Sequence, residues 1–223
     1  MISVCFSVIG FAILFFLLTQ ANAYQGNFPN SSLLVGLLYS IVCVLGVAAV
    51  FQPKNCQRVF ALKEQDNFQR CEFIKNSESM VKGHHPNCGT FEGNRIKIHG
   101  TVFCSACAGL LLGGIFSLVG TALWFFFKVP LFVADLRFLL LGGGAMLLGL
   151  AQFIFRGYLK LIVNALFVVG SLITLVIADL VGKSLYIDLY AIGLIVFLLM
   201  MRILISEWNN RRVCLECEGS KSG

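Results

Sequence analysis

The sequence predicts an all-α integral membrane helix bundle of about six transmembrane helices, with a small zinc-ribbon-like β-hairpin inserted on its cytoplasmic side. The first observation is composition: 58% of the residues are hydrophobic, 13% are charged, and the mean hydropathy is +0.86. The second is that long uncharged runs recur along the chain, and the third is a pair of matched His/Cys turns in its one long polar segment. This composition is typical of a polytopic membrane protein and excludes an ordinary soluble domain.

Residues 1–51 are predicted to form two transmembrane helices, at about 2–18 and 33–51. Each is an uncharged run long enough to cross a hydrocarbon layer about 30 Å thick. The first run is followed by Ala21-Asn22-Ala23, a small-residue pattern that resembles a signal-peptidase site. Because no positive charge precedes a long apolar stretch, we interpret it as an uncleaved helix, with a cleaved signal peptide as the alternative.

Residues 52–104 form the one long polar segment, which we interpret as an insert with two parts. From Lys54 to about Lys75, charges are interleaved with apolar residues, which predicts a connector helix on or near the membrane. From Gly83 the pattern changes. Alternation over residues 94–99, a glycine, and then Val102 and Phe103 predict a short β-hairpin.

Four potential metal ligands flank this hairpin in two turns of matched spacing: His85-x-x-Cys88, fifteen residues, and then Cys104-x-x-Cys107. Two ligands separated by two residues can point at one ion, so the pattern predicts a structural, four-coordinate zinc site. His84 is an alternative to His85. The other interpretations are a redox dithiol at Cys104 and Cys107, or ordinary buried cysteines.

Residues 105–205 are predicted to form four transmembrane helices, at about 105–127, 138–155, 161–178 and 185–205. Several glycines in this region predict small-residue faces for close helix packing. Gln152 and Asn164 flank a short turn, so we expect a polar cluster near the zinc module, made by interhelical hydrogen bonds or lining a substrate path. Asp188 and Arg202 lie near the ends of the last run, where side chains can snorkel to the interface.

Residues 206–223 are predicted to form a cytoplasmic tail that carries a second CxxC, Cys214-Leu215-Glu216-Cys217. This pair could bind a second metal together with Cys56 and Cys71. The alternative is a free thiol pair in a reducing compartment.

The distribution of positive charge predicts that the insert and the C-terminus face the cytoplasm. With that orientation, all but three of the 17 Lys and Arg residues lie inside; the exceptions are Lys128, Arg137 and Lys183. The net charge of +6 is therefore mainly a topology signal, and it does not predict nucleic-acid binding. The expected partners are the lipid bilayer, a cytoplasmic protein bound through the zinc ribbon, and a second copy of the chain.

The sequence favours a non-enzymatic protein, because it contains no HExxH, GxSxG or phosphate-binding glycine loop, and a site with four protein ligands is closed. We interpret the zinc module as a docking or regulatory element of a multipass cell-membrane protein. One alternative is a membrane thiol oxidoreductase that uses Cys104–Cys107 with Cys214–Cys217. Another is a transporter of a small solute or metal ion that uses Gln152 and Asn164.

The metal motif resembles that of a family of uncharacterised prokaryotic, notably archaeal, membrane proteins in which a His/Cys element precedes a CxxCxG motif that opens a helix. The related proteins often carry arginine inside the second CxxC, where this chain has Ser105 and Ala106. The resemblance implies a membrane setting and no mechanism. It covers about residues 82–120, and the matching residues are His84, His85, Cys88, Cys104, Cys107 and Gly109, with Gln152, Arg156, Asn164 and Gly170 matching more loosely.

Overall fold

The computed structural model places six helices where the sequence predicts apolar runs. The helices are α1 (Ile2–Thr19), α2 (Ser31–Phe51), α3 (Ser105–Thr121), α4 (Leu136–Leu150), α5 (Gly157–Ile177) and α6 (Leu185–Gly219). Five-residue π turns extend two of them, Ala122–Phe126 after α3 and Ala178–Gly182 after α5. The structure describes residues 2–20, 31–51, 81–82, 95–98, 101–130, 133 and 135–219.

Four of these helices are long and apolar enough to cross a membrane, so the predicted count of about six is not supported. They are Ser31–Phe51, Ser105–Phe126, Gly157–Gly182 and Leu185–Ser206. The other two, Cys5–Thr19 and Leu136–Leu150, are apolar but shorter. The chain is therefore a helical membrane protein with four candidate spanning helices within its described part.

Helix α4 is short because the chain turns back earlier than the apolar run suggests. It has 15 residues, and its end at Leu150 is followed by a 3-10 turn over Gln152–Ile154. Arg156 is extended and Gly157 has φ +56°, a left-handed conformation that glycine adopts without steric cost. The predicted run of 138–155 thus contains a helix and the start of a reverse turn.

The first turn of α4 is capped by a surface ion pair. The Asp135 side chain accepts hydrogen bonds from the Arg137 backbone N–H at 2.8 Å and from Arg137 Nε at 2.7 Å. An acidic N-cap satisfies helix N–H groups and complements the positive end of the helix dipole. The side-chain and backbone hydrogen bonds from Arg137 lower the pKa of Asp135 below its ordinary value.

We expect Asp135→Asn to lower the melting temperature slightly at neutral pH, with a smaller difference from wild type at acidic pH. A carboxyl whose pKa is lowered by folding contributes stability above its unfolded pKa, and loses that contribution as the pH falls through its folded pKa. Thermal unfolding of both proteins over a pH series measures the difference. A difference that stays constant below the pKa of the carboxyl would contradict the expectation.

Helix α6 continues well past the predicted end of the last transmembrane run. It contains 35 residues, which is about 50 Å of helix and longer than a hydrocarbon layer of about 30 Å. The segment predicted as a tail from residue 206 is therefore helical to Gly219. Its polar residues continue the helix because no proline or glycine interrupts α6 between Gly193 and Gly219.

Helix α5 lies at the centre of the bundle and packs against α3 and α4 over its length. The predicted small-residue packing is confirmed on both neighbours. A Cβ atom added at Gly113 of α3 would lie 2.7 Å from the Ala165 carbonyl oxygen of α5. A Cβ atom added at Gly142 of α4 would lie 2.9 Å from the Gly170 carbonyl oxygen of α5. These glycines let the helix backbones approach closely, which is the usual basis of packing in a membrane.

Large apolar side chains cover the outside of the helices. Leu45 on α2, Phe116 on α3 and Leu140 on α4 are each more than 60% exposed. Such a surface is unfavourable in water and favourable against lipid tails. The structure thus fits direct contact of the bundle with a lipid bilayer.

A small sheet lies where the sequence predicts a hairpin. Strand β2 (Arg95–Ile98) pairs antiparallel with β3 (Thr101–Cys104), with Arg95 opposite Cys104. A third strand, β1 (Val81–Lys82), pairs parallel with β3 and was not predicted, because two residues carry no recognisable period. The predicted connector helix at residues 54–75 lies outside the described residues, and the assignment of the sheet to a zinc ribbon stays a prediction.

Candidate functional site

Cys104 joins the small sheet directly to a candidate membrane helix. It is the last residue of β3 and also the N-cap of α3, with extended backbone angles of φ −70° and ψ 124°. The residue is 2% exposed, whereas Cys107, on the first turn of α3, is partly exposed, and neither forms a disulfide. The positive end of a helix dipole favours thiolates at this position.

Arg202 of α6 lies inside the bundle near these cysteines. It is 4% exposed, and its Nη2 donates hydrogen bonds to Asn164 Oδ1 and, at 3.3 Å, to Gln152 Oε1. The guanidinium also lies over the Phe167 ring, 5.1 Å from the centroid. The prediction that Arg202 snorkels to the interface was therefore wrong, because two amide acceptors and an aromatic face stabilise the charge inside the protein.

Asn164 is held in one orientation by its own helix. Its Nδ2 donates to the Lys160 carbonyl oxygen at 2.5 Å, which leaves Oδ1 free to accept from Arg202. Gln152 is buried on the 3-10 turn that follows α4. Lys160 is 6% exposed, with Nζ 5.9 Å from the centroid of the Phe153 ring. We call Gln152, Lys160, Asn164 and Arg202 the buried polar cluster.

The buried polar cluster provides two positive charges beside the CxxC turn. Lys160 and Arg202 both lie near Cys104 and Cys107. In general, a cation beside a cysteine favours its thiolate form. The predicted polar cluster of Gln152 and Asn164 is confirmed, since both accept from the same nitrogen of Arg202; its place beside a zinc module stays a prediction.

Sequence analysis missed the role of Arg202, although a signal was present. An ionisable residue within an apolar run that faces the bundle interior normally has a polar partner on another helix. Gln152 and Asn164 are such partners, but the sequence does not show that they lie at the same depth as Arg202. Lys160 falls between the predicted helices at 138–155 and 161–178, and the structure buries it at the start of α5.

Cys104 and Cys107 are the two predicted ligands whose side chains the structure describes, and both suit a thiolate metal site. Zn²⁺ binds cysteine as thiolate, and the helix N-terminus together with two cations favours that form. Of the predicted ligands, His84, His85 and Cys88 lie outside the described residues. Cys214 and Cys217 lie on the last turns of α6, where the structure describes the backbone alone. No group of three His, Cys, Asp or Glu side chains occurs within the described ranges, so the four-ligand site stays a prediction.

Comparison of the chain with protein-family models, curated proteins and solved structures finds no match. Functional inference therefore rests on the chemistry of the side chains themselves.

Proposed function

We propose that this chain is a multipass membrane protein whose zinc module docks a cytoplasmic protein partner at the inner end of the helix bundle. The module consists of His85, Cys88, Cys104 and Cys107 around one structural zinc ion. The observation that carries the proposal is the double position of Cys104, which ends a strand of the small sheet and caps a candidate membrane helix.

Charge complementarity supports the metal assignment. A Zn²⁺ ion bound by three thiolates and one neutral imidazole carries a net negative charge, which is unfavourable beside a hydrocarbon layer. Lys160 and Arg202 place positive charge next to the two described thiols. We infer that the buried polar cluster offsets the negative charge of the zinc site and thereby allows it to lie close to the membrane.

Contact between the sheet and the bundle supports a docking role. Strand β3 continues into α3, and β2 packs against α5. A partner bound to the module would therefore act on α3 and α5, which also pack against each other. Zinc would stabilise the fold of a segment too short to form a hydrophobic core of its own.

The same geometry offers less support to the alternatives. A thiol oxidoreductase would also benefit from a helix N-terminus beside Cys104, but thiol–disulfide exchange needs access to sulfur, and Cys104 is 2% exposed. A transporter that used Gln152 and Asn164 would have to displace Arg202 from both amide oxygens. Both amides instead stabilise a buried charge.

We expect purified wild-type protein to contain about one zinc ion per chain, and Cys104→Ser, Cys107→Ser, Cys88→Ser and His85→Ala to lose it. Elemental analysis of the detergent-solubilised proteins measures the stoichiometry. Cys5→Ser, which changes an exposed cysteine of α1, is the matched control and should keep its zinc. A zinc-free wild-type protein whose Cys104 and Cys107 cycle between dithiol and disulfide would refute the proposal in favour of the oxidoreductase.

Crosslinking in cells tests the docking role separately. A photocrosslinker placed at Lys97 of β2 should capture one discrete protein in the wild type, and Cys107→Ser should abolish that product. The same probe placed on the lipid-facing surface of α4, at Leu140, is the control and should not capture that protein. A crosslinking pattern that is unchanged when zinc is lost would contradict docking through the zinc module.

A further inference from the structure

A second polar site lies at the opposite end of the bundle, where α5 turns into α6. Helix α5 ends in the π turn Ala178–Gly182, Lys183 adopts a left-handed conformation with φ 44°, and α6 begins after Ser184. The π turn packs against the first turn of α6, and a Cβ on Gly182 would lie 3.0 Å from Ile187 Cγ2. This close contact brings an acidic residue from each element to one place.

The two acidic residues are Asp179 in the π turn and Asp188 on the first turn of α6. They lie close enough for their carboxylates to repel each other. Asp179 Oδ2 accepts a hydrogen bond from Trp124 Nε1 at 3.0 Å. Asp188 is 2% exposed, and its Oδ1 has no hydrogen-bond donor among the described residues.

Ser184 adds a second buried oxygen that lacks a hydrogen-bond partner among the described residues. It is 2% exposed, and its backbone carbonyl accepts from the Asp188 N–H at 3.1 Å, so both residues belong to the same turn. Its Oγ makes no hydrogen bond within the described part of the chain. A buried hydroxyl and a buried carboxylate oxygen each cost free energy unless they find a partner.

Among the described residues, the neighbouring lysines form no ion pair with Asp179 or Asp188. Lys128 lies close enough to attract Asp179, but its Nζ donates at 2.9 Å to Ser32 Oγ at the surface. The Lys183 side chain is exposed. Within the described ranges, neither Asp179 nor Asp188 takes part in an ion pair; the pair found there joins Arg137 and Asp135.

We propose that Asp179, Asp188 and Ser184 bind a hard monovalent cation of the size of Na⁺. Carboxylate and hydroxyl oxygens are hard ligands, and carbonyl groups at the C-terminal end of a helix such as α5 attract cations. Ca²⁺ usually takes about six to eight oxygen ligands, several of them carboxylates, and the described residues offer no third acidic, His or Cys ligand here. The bound ion offsets one of the two carboxylate charges and fixes the junction of α5 and α6.

Thermal unfolding of the purified full-length protein in detergent tests this site, with NaCl compared against choline chloride at equal ionic strength. At a Na⁺ concentration about 100 times the dissociation constant, we expect the melting temperature to rise by several degrees and to saturate. Asp188→Asn should lose the rise, and Asp179→Asn and Ser184→Ala should reduce it. Asp135→Asn, which removes a surface carboxylate at the same end of the bundle, is the matched control and should keep the full response.

A wild-type protein with the same melting temperature in both salts overturns the proposal and indicates carboxyl groups buried in the neutral form. An equal response in Asp188→Asn, or a response to Ca²⁺ without one to Na⁺, overturns it as well. If Asp188→Asn fails to fold, saturable binding of radioactive ²²Na⁺ to wild type, weakened at least tenfold in Ser184→Ala, supports the site. Absence of saturable ²²Na⁺ binding refutes it.

Discussion

Asn164→Leu should destabilise the protein by about 3 kcal/mol, because it leaves the buried Arg202 guanidinium without its principal acceptor. Leucine has the same number of side-chain heavy atoms as asparagine and the same branch at Cγ, so the substitution removes the hydrogen bonds while keeping the shape of the side-chain skeleton. Gln152 Oε1, at 3.3 Å from Nη2, remains as a weaker acceptor. The Nε of Arg202 already has no hydrogen-bond partner among the described residues, which makes further loss costly.

The double variant Asn164→Leu/Arg202→Met should recover most of that stability. Replacing both partners of a buried polar pair by apolar groups is often nearly neutral, whereas removing one partner is not. Unfolding in mixed detergent micelles measures all four proteins of the double-mutant cycle. Arg156→Met, at an exposed cation near the same turn, is the control and should change the free energy of unfolding by less than about 0.5 kcal/mol.

The zinc content of the double variant separates the two roles given to Arg202. If the guanidinium neutralises the zinc site, the variant should regain stability and yet bind zinc more weakly than wild type. A double variant that remains as unstable as Asn164→Leu would show that the hydrogen bond between these two side chains is not the main contribution of Asn164.

Gly109→Ala should destabilise the protein by about 3 kcal/mol and weaken zinc binding. A Cβ at this position would meet the Leu161 carbonyl oxygen of α5, and would lie 2.8 Å from Asn164 Cβ. The carbonyl belongs to the helix backbone and cannot rotate away, so α3 must move away from α5. That movement displaces Cys107, which lies two residues before Gly109, from the buried polar cluster.

Gly144→Ala is the matched control for this substitution. Gly144 lies in α4, and a Cβ there would have no neighbour within 4 Å. Alanine in an open helical position is neutral or stabilises by up to about 1 kcal/mol. Chemical unfolding and zinc content should therefore remain close to wild type in Gly144→Ala. Similar losses in both variants would show that the close approach of α3 to α5 does not govern the effect.

The sequence predicted the positions of the helices because the signal is local. An uncharged run must be helical in lipid, since every backbone N–H and C=O has to be satisfied within the segment. The glycine faces of α3 and α4 were predictable for the same reason, as small residues permit close packing. Strands β2 and β3 lie where alternation and a glycine predict a hairpin.

The polar sites were predictable only in part. Gln152 and Asn164 flank a short turn, so proximity along the chain brings them together. Arg202 lies 38 residues beyond Asn164, on another helix. Nothing in the sequence around Arg202 distinguishes a side chain that snorkels to the interface from one buried in the bundle. The same applies to Asp188 and its neighbour Asp179, since the π turn that brings them together has no recognised sequence pattern.

By itself, then, the sequence determined that this chain is a helical membrane protein with a CxxC turn that opens a helix at Cys104. Hydropathy and the spacing of ligands are properties of single segments, so they can be assigned without a partner. The tertiary structure decided that α4 is too short to count as a spanning helix, that Arg202 and Lys160 lie beside Cys104 and Cys107, and that Asp179 meets Asp188. Each of these three findings depends on the depth at which one helix packs against another. Side-chain contacts between distant segments of the chain determine that depth.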